Sequence, residues 1–378
     1  DSNMGKLKHI YRKGLALRYG KTMQCVSGIH YNFSLSDSSL SKIAKSNDQG
    51  DINNAYLGLI RNFKRLFWFV LSEFGHSSVV DKSFVSGRDN DLDLLNSSDL
   101  FKEGATSLRM SDIGYQSKAQ KNLDIKYNDL DEFLEELRLA ISEPYPEFDA
   151  IGLKDSDGNF QQISNGILQI ENELYDCIRP KRAGLSGQRP YELLKKEGIK
   201  YVEIRGIDLD PDDVAGISKD KILLLDLILL YCFIKPSPMM DDKEKSIIEN
   251  NDTTTIKYGR LLETTIILNN KKTGIFEAHR DIVKDLMSLA EAMDDTRYVD
   301  VVLDIKDRVN TFNADKPFHD LGLEKAQQNS NILRSHKNIE TKSFKEEAEI
   351  SLLKFDKIQK EASLDNIDEF MNSYNSQL

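Results

Sequence analysis

The stretch of sequence that decides the fold is Tyr201-Val202-Glu203-Ile204-Arg205. It predicts a β-strand, in which successive side chains point to opposite faces of the sheet. Tyr201, Glu203 and Arg205 would then share one face, while Val202 and Ile204 would pack on a core. Burying a carboxylate and a guanidinium costs free energy unless the two groups pair or bind a ligand. The polar face therefore indicates either an ordinary surface ion pair or one wall of a wet cavity that holds a cation and an anion.

Length and composition indicate a folded globular chain with one large domain or two smaller ones. The sequence has 378 residues, of which 39% are hydrophobic and 30% are charged, a balance typical of proteins with a substantial core. Its 62 acidic residues exceed its 51 basic ones and give a formal net charge of −11. Because a nucleic-acid-binding surface normally shows a basic excess, we expect no nucleic-acid partner.

Cysteine usage and hydropathy favour a cytoplasmic protein without a membrane partner. Cys25, Cys177 and Cys232 are far apart and form neither a CxxC motif nor a Cys/His metal spacing, which favours a reducing compartment. The longest apolar run, residues 222–234, is interrupted by Asp226 and is too short to cross a bilayer. It predicts a buried helix instead.

Apolar periodicity predicts both helices and strands. Helical spacing occurs in residues 7–19, 54–74 and 130–141, and strand-like alternation occurs in residues 27–35, 163–175 and 201–208. The second helix carries one apolar stripe, formed by Tyr56, Leu59, Ile60, Phe63, Leu66, Phe67 and Val70. Residues 156–159 predict a hairpin turn and residues 77–106 a long loop. The charged segment 326–378 predicts peripheral helices.

Two further segments carry polar groups that suit a ligand site. His30 and Asn32 would share one face of the strand at 27–35, where an imidazole beside an amide suits a cation or a phosphate. A satisfied structural histidine is the alternative. Arg109 suits a substrate carboxylate, over which Tyr115 could close, unless the segment is a plain turn.

The strand predicted at 163–175 is followed by a short run of cations. Arg179, Lys181 and Arg182 are held close together by Pro180 and make a compact anion site, although a charge run is also typical of a solvated loop. Combined with the strands, these segments indicate a sheet that lines a substrate cavity, with acidic metal ligands and cations that neutralise a transferring phosphate. The sequence contains neither a GxxxxGK[ST] nor a GxGxxG motif, which excludes an ordinary P-loop and a dinucleotide-binding turn.

These segments resemble glutamate–cysteine ligase of the γ-proteobacterial type, also called γ-glutamylcysteine synthetase. The resemblance runs from about residue 5 to beyond residue 300, and the motifs that carry it are YRKGL (11–15), RYG (18–20), SGIHYNFS (27–34), TSLR (106–109), SDIGY (111–115), LQIENELY (168–175), IRPKR (178–182) and YVEIR (201–205).

The resemblance implies an α+β fold similar to glutamine synthetase, in which a curved, mainly antiparallel sheet forms a funnel-shaped active site surrounded by helices. It also implies ATP-dependent ligation of L-cysteine to the γ-carboxyl of L-glutamate through a γ-glutamyl phosphate, the first step of glutathione biosynthesis. Magnesium would be the cofactor and ATP a co-substrate. Residues 1–325 would then form the catalytic domain and residues 326–378 a peripheral helical segment.

Individual residues receive roles from the same resemblance. Glu203 and His30 would ligate magnesium. Arg205 would neutralise the phosphoryl group during transfer, and Arg109 would be catalytic with it. The nucleotide would be contacted by His30, Asn32, Arg179 and Arg182. The amino-acid substrates would be bound by Tyr11, Arg109, Tyr115 and Tyr175.

One departure from the family pattern concerns the start of the chain. Family members begin with a further segment whose acidic strand supplies other magnesium-binding glutamates, and this sequence begins at Asp1, after it. We therefore expect an N-terminally incomplete ligase that turns over poorly by itself. We also expect a monomer. Two alternatives stay open: a related carboxylate–amine ligase with a different amine acceptor, and a non-catalytic nucleotide-binding remnant of the same fold.

Overall fold

The computed structural model describes residues 3–114, 116–185, 187–311, 327–328, 330–331, 334–335, 342–361 and 366–378. Its main helices are α1 (Asn3–Tyr19), α2 (Asp37–Ala44), α3 (Gln49–Phe74), α4 (Leu130–Ser142), α5 (Pro146–Asp149), α6 (Pro190–Glu197), α7 (Lys219–Ile234), α8 (Asp242–Tyr258), α9 (Ile275–Glu291) and α10 (Thr296–Thr311). Two C-terminal helices follow, Lys342–Glu361 and Ile367–Asn375. The strands are β1 (Ile29–Phe33), β2 (Val79–Asp81), β3 (Asp93–Leu94), β4 (Asp99–Phe101), β5 (Ile178–Lys181), β6 (Tyr201–Ile207), β7 (Thr265–Leu268) and β8 (Lys271–Gly274).

Helix α3 forms the centre of the core. It begins after Asp48, whose side chain accepts a hydrogen bond from the Gly50 amide at 2.8 Å and so satisfies one of the free donors of the first turn. All seven residues of its predicted apolar stripe are buried, which confirms that prediction. The helix packs against α7, α8 and β6. Three predicted helices are thus confirmed as α1, α3 and α4.

Helix α7 is the buried helix that the run at 222–234 predicted. The one acidic residue within that run, Asp226, has a structural role, because its Oδ1 atom accepts a hydrogen bond from the Tyr31 hydroxyl at 2.6 Å. That bond ties α7 to β1. Among the described residues, none of the helices combines the length and the apolar character that a bilayer crossing requires.

The sheet that matters for the site has three antiparallel strands in the order β1-β6-β5. Val202 and Ile204 of β6 are fully buried and seat one face on α3. The approach of α3 is close at Gly206, where an added Cβ would lie 2.4 Å from ring carbons of Phe67. A glycine is therefore required at this position in the strand. The α+β class and the antiparallel pairing predicted from the sequence are confirmed.

Two predictions of local structure were wrong. Residues 163–175 do not form a strand; they run irregularly and include one 3₁₀ turn, Glu171–Glu173. The alternating acidic side chains turn inward because buried arginines bind them: Arg189 binds Glu171 and Arg18 binds Glu173. The third strand is instead β5, which contains the cation run that was predicted to form a compact anion site. The loop predicted at 77–106 contains a small sheet in the order β2-β4-β3.

The turn at 156–159 is confirmed. The Gly158 amide donates to the Asp155 carbonyl at 3.0 Å, between paired residues Lys154 and Phe160. In the described part of the C-terminal segment, helix Lys342–Glu361 exposes its side chains up to residue 358, while helix Ile367–Asn375 buries Met371 and Tyr374 in a cluster with residues of α1. The division at residue 325 stays a prediction.

Candidate functional site

The candidate site is the polar face of the β1-β6-β5 sheet. In its register, Asn32 of β1 lies opposite Glu203 of β6, which lies opposite Arg179 of β5. Residues directly opposite each other share a face, and so do residues two apart along a strand. The face therefore also carries Arg205 and Lys181. We call this set of residues, together with His30, the polar face.

Glu203 occupies the middle of the polar face and is almost surrounded by cations. Its Oε1 atom accepts hydrogen bonds from Arg205 Nη1 at 2.7 Å and from Arg179 Nη2 at 2.9 Å. Its Oε2 atom lies 3.6 Å from Lys181 Nζ. Burial raises the pKa of this carboxyl, but the charges of Arg179 and Lys181 and the bonds from Arg179 and Arg205 outweigh burial and hold the pKa at about 2. The carboxylate is thus ionised at neutral pH.

Arg179 is buried, and backbone carbonyls fix its guanidinium. The 3₁₀ turn presents the carbonyl oxygens of Glu171, Asn172 and Leu174 to Nη1, at 3.1 to 3.2 Å. With Nη2 bonded to Glu203, the guanidinium has one preferred orientation. The contacts of Arg179 therefore orient the Glu203 carboxylate. The predicted contact of Arg179 with a nucleotide stays a prediction.

His30 lies exposed at the edge of the polar face. Partial burial and then the charge of Arg205 lower its pKa below the ordinary value, and the Glu203 carboxylate opposes this shift only in part. This shift favours the neutral imidazole, which keeps a lone pair for a cation or a hydrogen-bond donor. The charges of Glu203 and Arg205, which both belong to β6, thus act on His30. This supports the predicted grouping of His30 with Glu203.

Arg109 reaches the same region from the turn after Ser107. Its Nε donates to Asp208 Oδ1 at 2.6 Å, and its Nη2 donates to the Arg205 carbonyl at 3.1 Å. The side chain is only 8% exposed. Its predicted role as a clamp for a substrate carboxylate is untested by these contacts.

The other predicted residues lie on other elements. Tyr175 directs its hydroxyl to Met23 Sδ at 3.9 Å. Arg182 follows β5 and its Nε donates to Glu197 at 3.1 Å. Tyr11 belongs to α1, and Tyr115 lies outside the described residues. The structure thus brings His30, Asn32, Arg109, Arg179, Glu203 and Arg205 together, whereas Tyr11, Tyr175 and Arg182 lie outside the three strands of the sheet.

Sequence reasoning missed the contacts that two participants make. Lys181 faces Glu203, and burial followed by the charge of Arg179 lowers its pKa. The spacing of Arg179 and Lys181 would have revealed this if residues 178–181 had been interpreted as a strand. Asp208, the partner of Arg109, follows directly after β6. No local signal connects it with a residue so distant in sequence.

The charge of the region favours an anionic ligand. Arg109, Arg179, Lys181 and Arg205 bring four positive charges, which Glu203 and Asp208 balance only in part. In the part of the chain that the structure describes, no group of three or more His, Cys, Asp or Glu side chains is arranged to hold a metal ion. Glu203 and His30 alone would therefore form only part of a metal site.

The chain thus has an α+β fold whose antiparallel sheet presents three cations around one ionised carboxylate. The family model described as glutamate-cysteine ligase matches residues 1–255. The chain therefore belongs to the glutamate–cysteine ligase family, and the prediction of that family is confirmed.

Curated relatives support the same assignment. The glutamate–cysteine ligase of Pseudomonas putida is 42% identical over 299 residues, which cover 78% of this chain and 57% of the relative. That of Hahella chejuensis is 43% identical over 272 residues, covering 71% and 52%. The chain thus spans about half the length of the curated relatives it matches.

Solved structures agree on the fold. The glutamate–cysteine ligase of Francisella tularensis, determined in complex with AMP, has a TM-score of 0.82 and 31% identity, and the match covers 100% of this chain and 78% of that one. A bifunctional glutathione synthetase from Pasteurella multocida, with a TM-score of 0.54 and 21% identity, covers 83% of this chain and 38% of that one. The second likeness shows the fold alone.

Proposed function

We propose that this chain carries part of the active site for the ATP-dependent ligation of L-cysteine to the γ-carboxyl of L-glutamate, the first step of glutathione biosynthesis. The observation that carries the proposal is the ionised Glu203 carboxylate, held by Arg179 and Arg205 on the polar face, in a chain of the glutamate–cysteine ligase family. The AMP complex of the Francisella tularensis relative supports a nucleotide as ligand.

Magnesium fits the donor set in part. Mg²⁺ prefers oxygen ligands, and Glu203 supplies an ionised carboxylate whose Oε2 atom makes the looser of its contacts. The neutral His30 is a less usual ligand for this ion. Bound magnesium would neutralise charge on the phosphates of ATP. Glu203 would hold it with His30 beside it, and further oxygens from phosphate, water or other carboxylates would complete the coordination.

In the proposed reaction, the glutamate γ-carboxylate oxygen attacks the terminal phosphorus of ATP and the bond to ADP breaks. The cysteine amine then attacks the acyl phosphate, an amide bond forms, and phosphate and a proton leave. Transfer of this kind depends mainly on positioning and on neutralising charge. Arg205 would neutralise the phosphoryl group, with Lys181 beside it, and Arg109 would hold a substrate carboxylate.

The remaining roles follow the family resemblance. Asn32 would hydrogen-bond the nucleotide from the strand that carries His30. We propose the same ligand for Arg179 and Arg182, and the two amino acids as ligands of Tyr11, Tyr115 and Tyr175. We also infer that the protein is a monomer and that it acts in the cytoplasm. The three free cysteines support the second inference.

Product formation tests the proposed function directly. The chain is incubated with magnesium-ATP, glutamate and cysteine, and γ-glutamylcysteine and phosphate are measured. We expect turnover that Glu203→Gln abolishes, because the isosteric amide removes the charge. Glu135→Gln is the matched control, since Glu135 forms an exposed pair with Arg138 on α4.

The outcomes separate the alternatives. Product with other amines but not with cysteine would indicate a related ligase with a different acceptor. Nucleotide binding in calorimetry without product from any amine would indicate a non-catalytic remnant. Equal activity of the Glu203→Gln chain and the wild-type chain would refute the role of the polar face.

A further inference from the structure

Asp208, the residue after β6, joins three segments of the chain through one buried carboxylate. Its Oδ2 atom accepts hydrogen bonds from the His76 amide at 2.9 Å and from the Ser77 hydroxyl at 2.7 Å. Its Oδ1 atom accepts from the Ser107 hydroxyl at 3.0 Å and from Arg109 Nε at 2.6 Å. The carboxylate is 3% exposed, and four donors satisfy it. A carboxylate so enclosed has a fixed orientation, and it imposes that orientation on its partners.

The guanidinium of Arg109 lies where β1 approaches β6. Its Nη2 atom bonds the Arg205 carbonyl, and its Cζ and Nη1 atoms lie against Gly28. A Cβ added at Gly28 would meet both atoms at 2.6 Å and the Ile207 carbonyl at 2.7 Å. Gly28 therefore leaves the space that the guanidinium fills, two residues before His30 in the chain.

We propose that Asp208 is a positioning residue, which holds Arg109 in register with His30 and Arg205. This inference rests on the proposed function, because it specifies how one side of that site is kept in place. Asp208 touches no substrate in this proposal. It acts through Arg109, whose guanidinium spans the start of β1 and the end of β6. A displacement of about 1 Å in such a group can reduce catalytic efficiency about a hundredfold.

Asp208→Asn tests the proposal, with Glu73→Gln as the matched control. Both exchanges are nearly isosteric and remove a buried carboxylate that binds an arginine. Glu73 lies on α3, where it accepts from Arg308 Nη2 at 2.9 Å and is bonded to His279 at 2.8 Å. We expect both variants to lose stability in urea. Only Asp208→Asn should lower kcat/KM for glutamate, by roughly ten- to a hundredfold. Equal effects of the two variants on kcat/KM would mean that Asp208 is merely structural.

A second measurement does not require turnover. In a chain labelled with ¹⁵N-arginine, the Nε–H signal of Arg109, assigned with Arg109→Lys, should shift or broaden in Asp208→Asn and stay unchanged in Glu73→Gln. An unchanged signal in Asp208→Asn would overturn the inference, whatever the activity. Absence of product from the wild-type chain would instead refute the proposed function and leave this measurement decisive for positioning.

Two further variants leave Asp208 itself unchanged. Gly28→Ala should push the guanidinium aside while Asp208 stays intact, and it should lower kcat/KM for glutamate and shift the Arg109 signal as Asp208→Asn does. Ser107→Ala removes one of the four donors and should shift the Arg109 signal less. If Gly28→Ala folds and leaves both the signal and kcat/KM unchanged, the position of Arg109 does not matter and the proposal fails.

Discussion

Replacing Glu203 by glutamine should destabilise the fold at neutral pH and much less in acid. The pKa of Glu203 falls from the ordinary 4.5 to about 2 in the folded chain, which corresponds to roughly 3 kcal/mol of interaction with the ionised form. Because the folded pKa is the lower one, this contribution is fully present above about pH 4.5. It is lost as the pH falls towards 2.

The measurement is urea unfolding of wild type and Glu203→Gln at several pH values between 7 and 3. At pH 7 the variant should lose about 3 kcal/mol in the free energy of unfolding, since Arg179, Lys181 and Arg205 then face one another without the carboxylate. The difference between the two chains should shrink as the pH approaches 3. Glu135→Gln, at an exposed pair, should show no measurable difference at any pH. Equal stability of Glu203→Gln and wild type at pH 7, or a difference that does not change with pH, would refute this reasoning.

Three further experiments probe packing and burial in the fold. Gly206→Ala should lower the free energy of unfolding by about 1 to 3 kcal/mol, because the new Cβ meets the ring of Phe67; a urea midpoint equal to that of wild type would contradict the close approach. Arg189→Met should lower the free energy of unfolding by about 3 to 5 kcal/mol, because the buried Glu171 carboxylate loses both of its guanidinium bonds. Urea unfolding of the variant and of the wild-type chain measures this difference. With a thiol reagent, the exposed Cys25 should react in the native chain, and the buried Cys177 and Cys232 only after unfolding. Burial raises the pKa of these two thiols. Fast reaction of all three thiols in the native chain would contradict the burial of Cys177 and Cys232.

Much of the fold could be predicted because its signals are local. The apolar stripe of α3 and the alternation in residues 201–205 follow from the geometry of helix and strand, and both predictions are confirmed. The segment 163–175 shows the limit of this reasoning. Its alternation suits a strand, but Glu171 and Glu173 are satisfied by arginines elsewhere in the chain, and no local pattern indicates such partners.

The strand β5 shows a different limit. Pro180 and three neighbouring cations are typical of a solvated turn, yet a proline is tolerated on an edge strand, and β5 pairs with β6 alone among the described strands. The cations could be buried because Glu203 and backbone carbonyls receive them. The composition of the segment was therefore informative about charge and misleading about structure.

The polar side chains of β6 were interpreted either as an ordinary surface ion pair or as one wall of a cavity that holds a cation and an anion. Arg205 and Glu203 do pair, at 2.7 Å, so the simple ion pair exists. A mutual pair would be electrically neutral, however, and this carboxylate also faces Arg179 and Lys181. Three cations around one carboxylate leave a net positive charge on a face whose β1 edge is exposed at His30 and Asn32. An excess of buried positive charge costs free energy unless an anion offsets it, and this excess is the strongest physical reason to expect a phosphate-bearing ligand on the sheet.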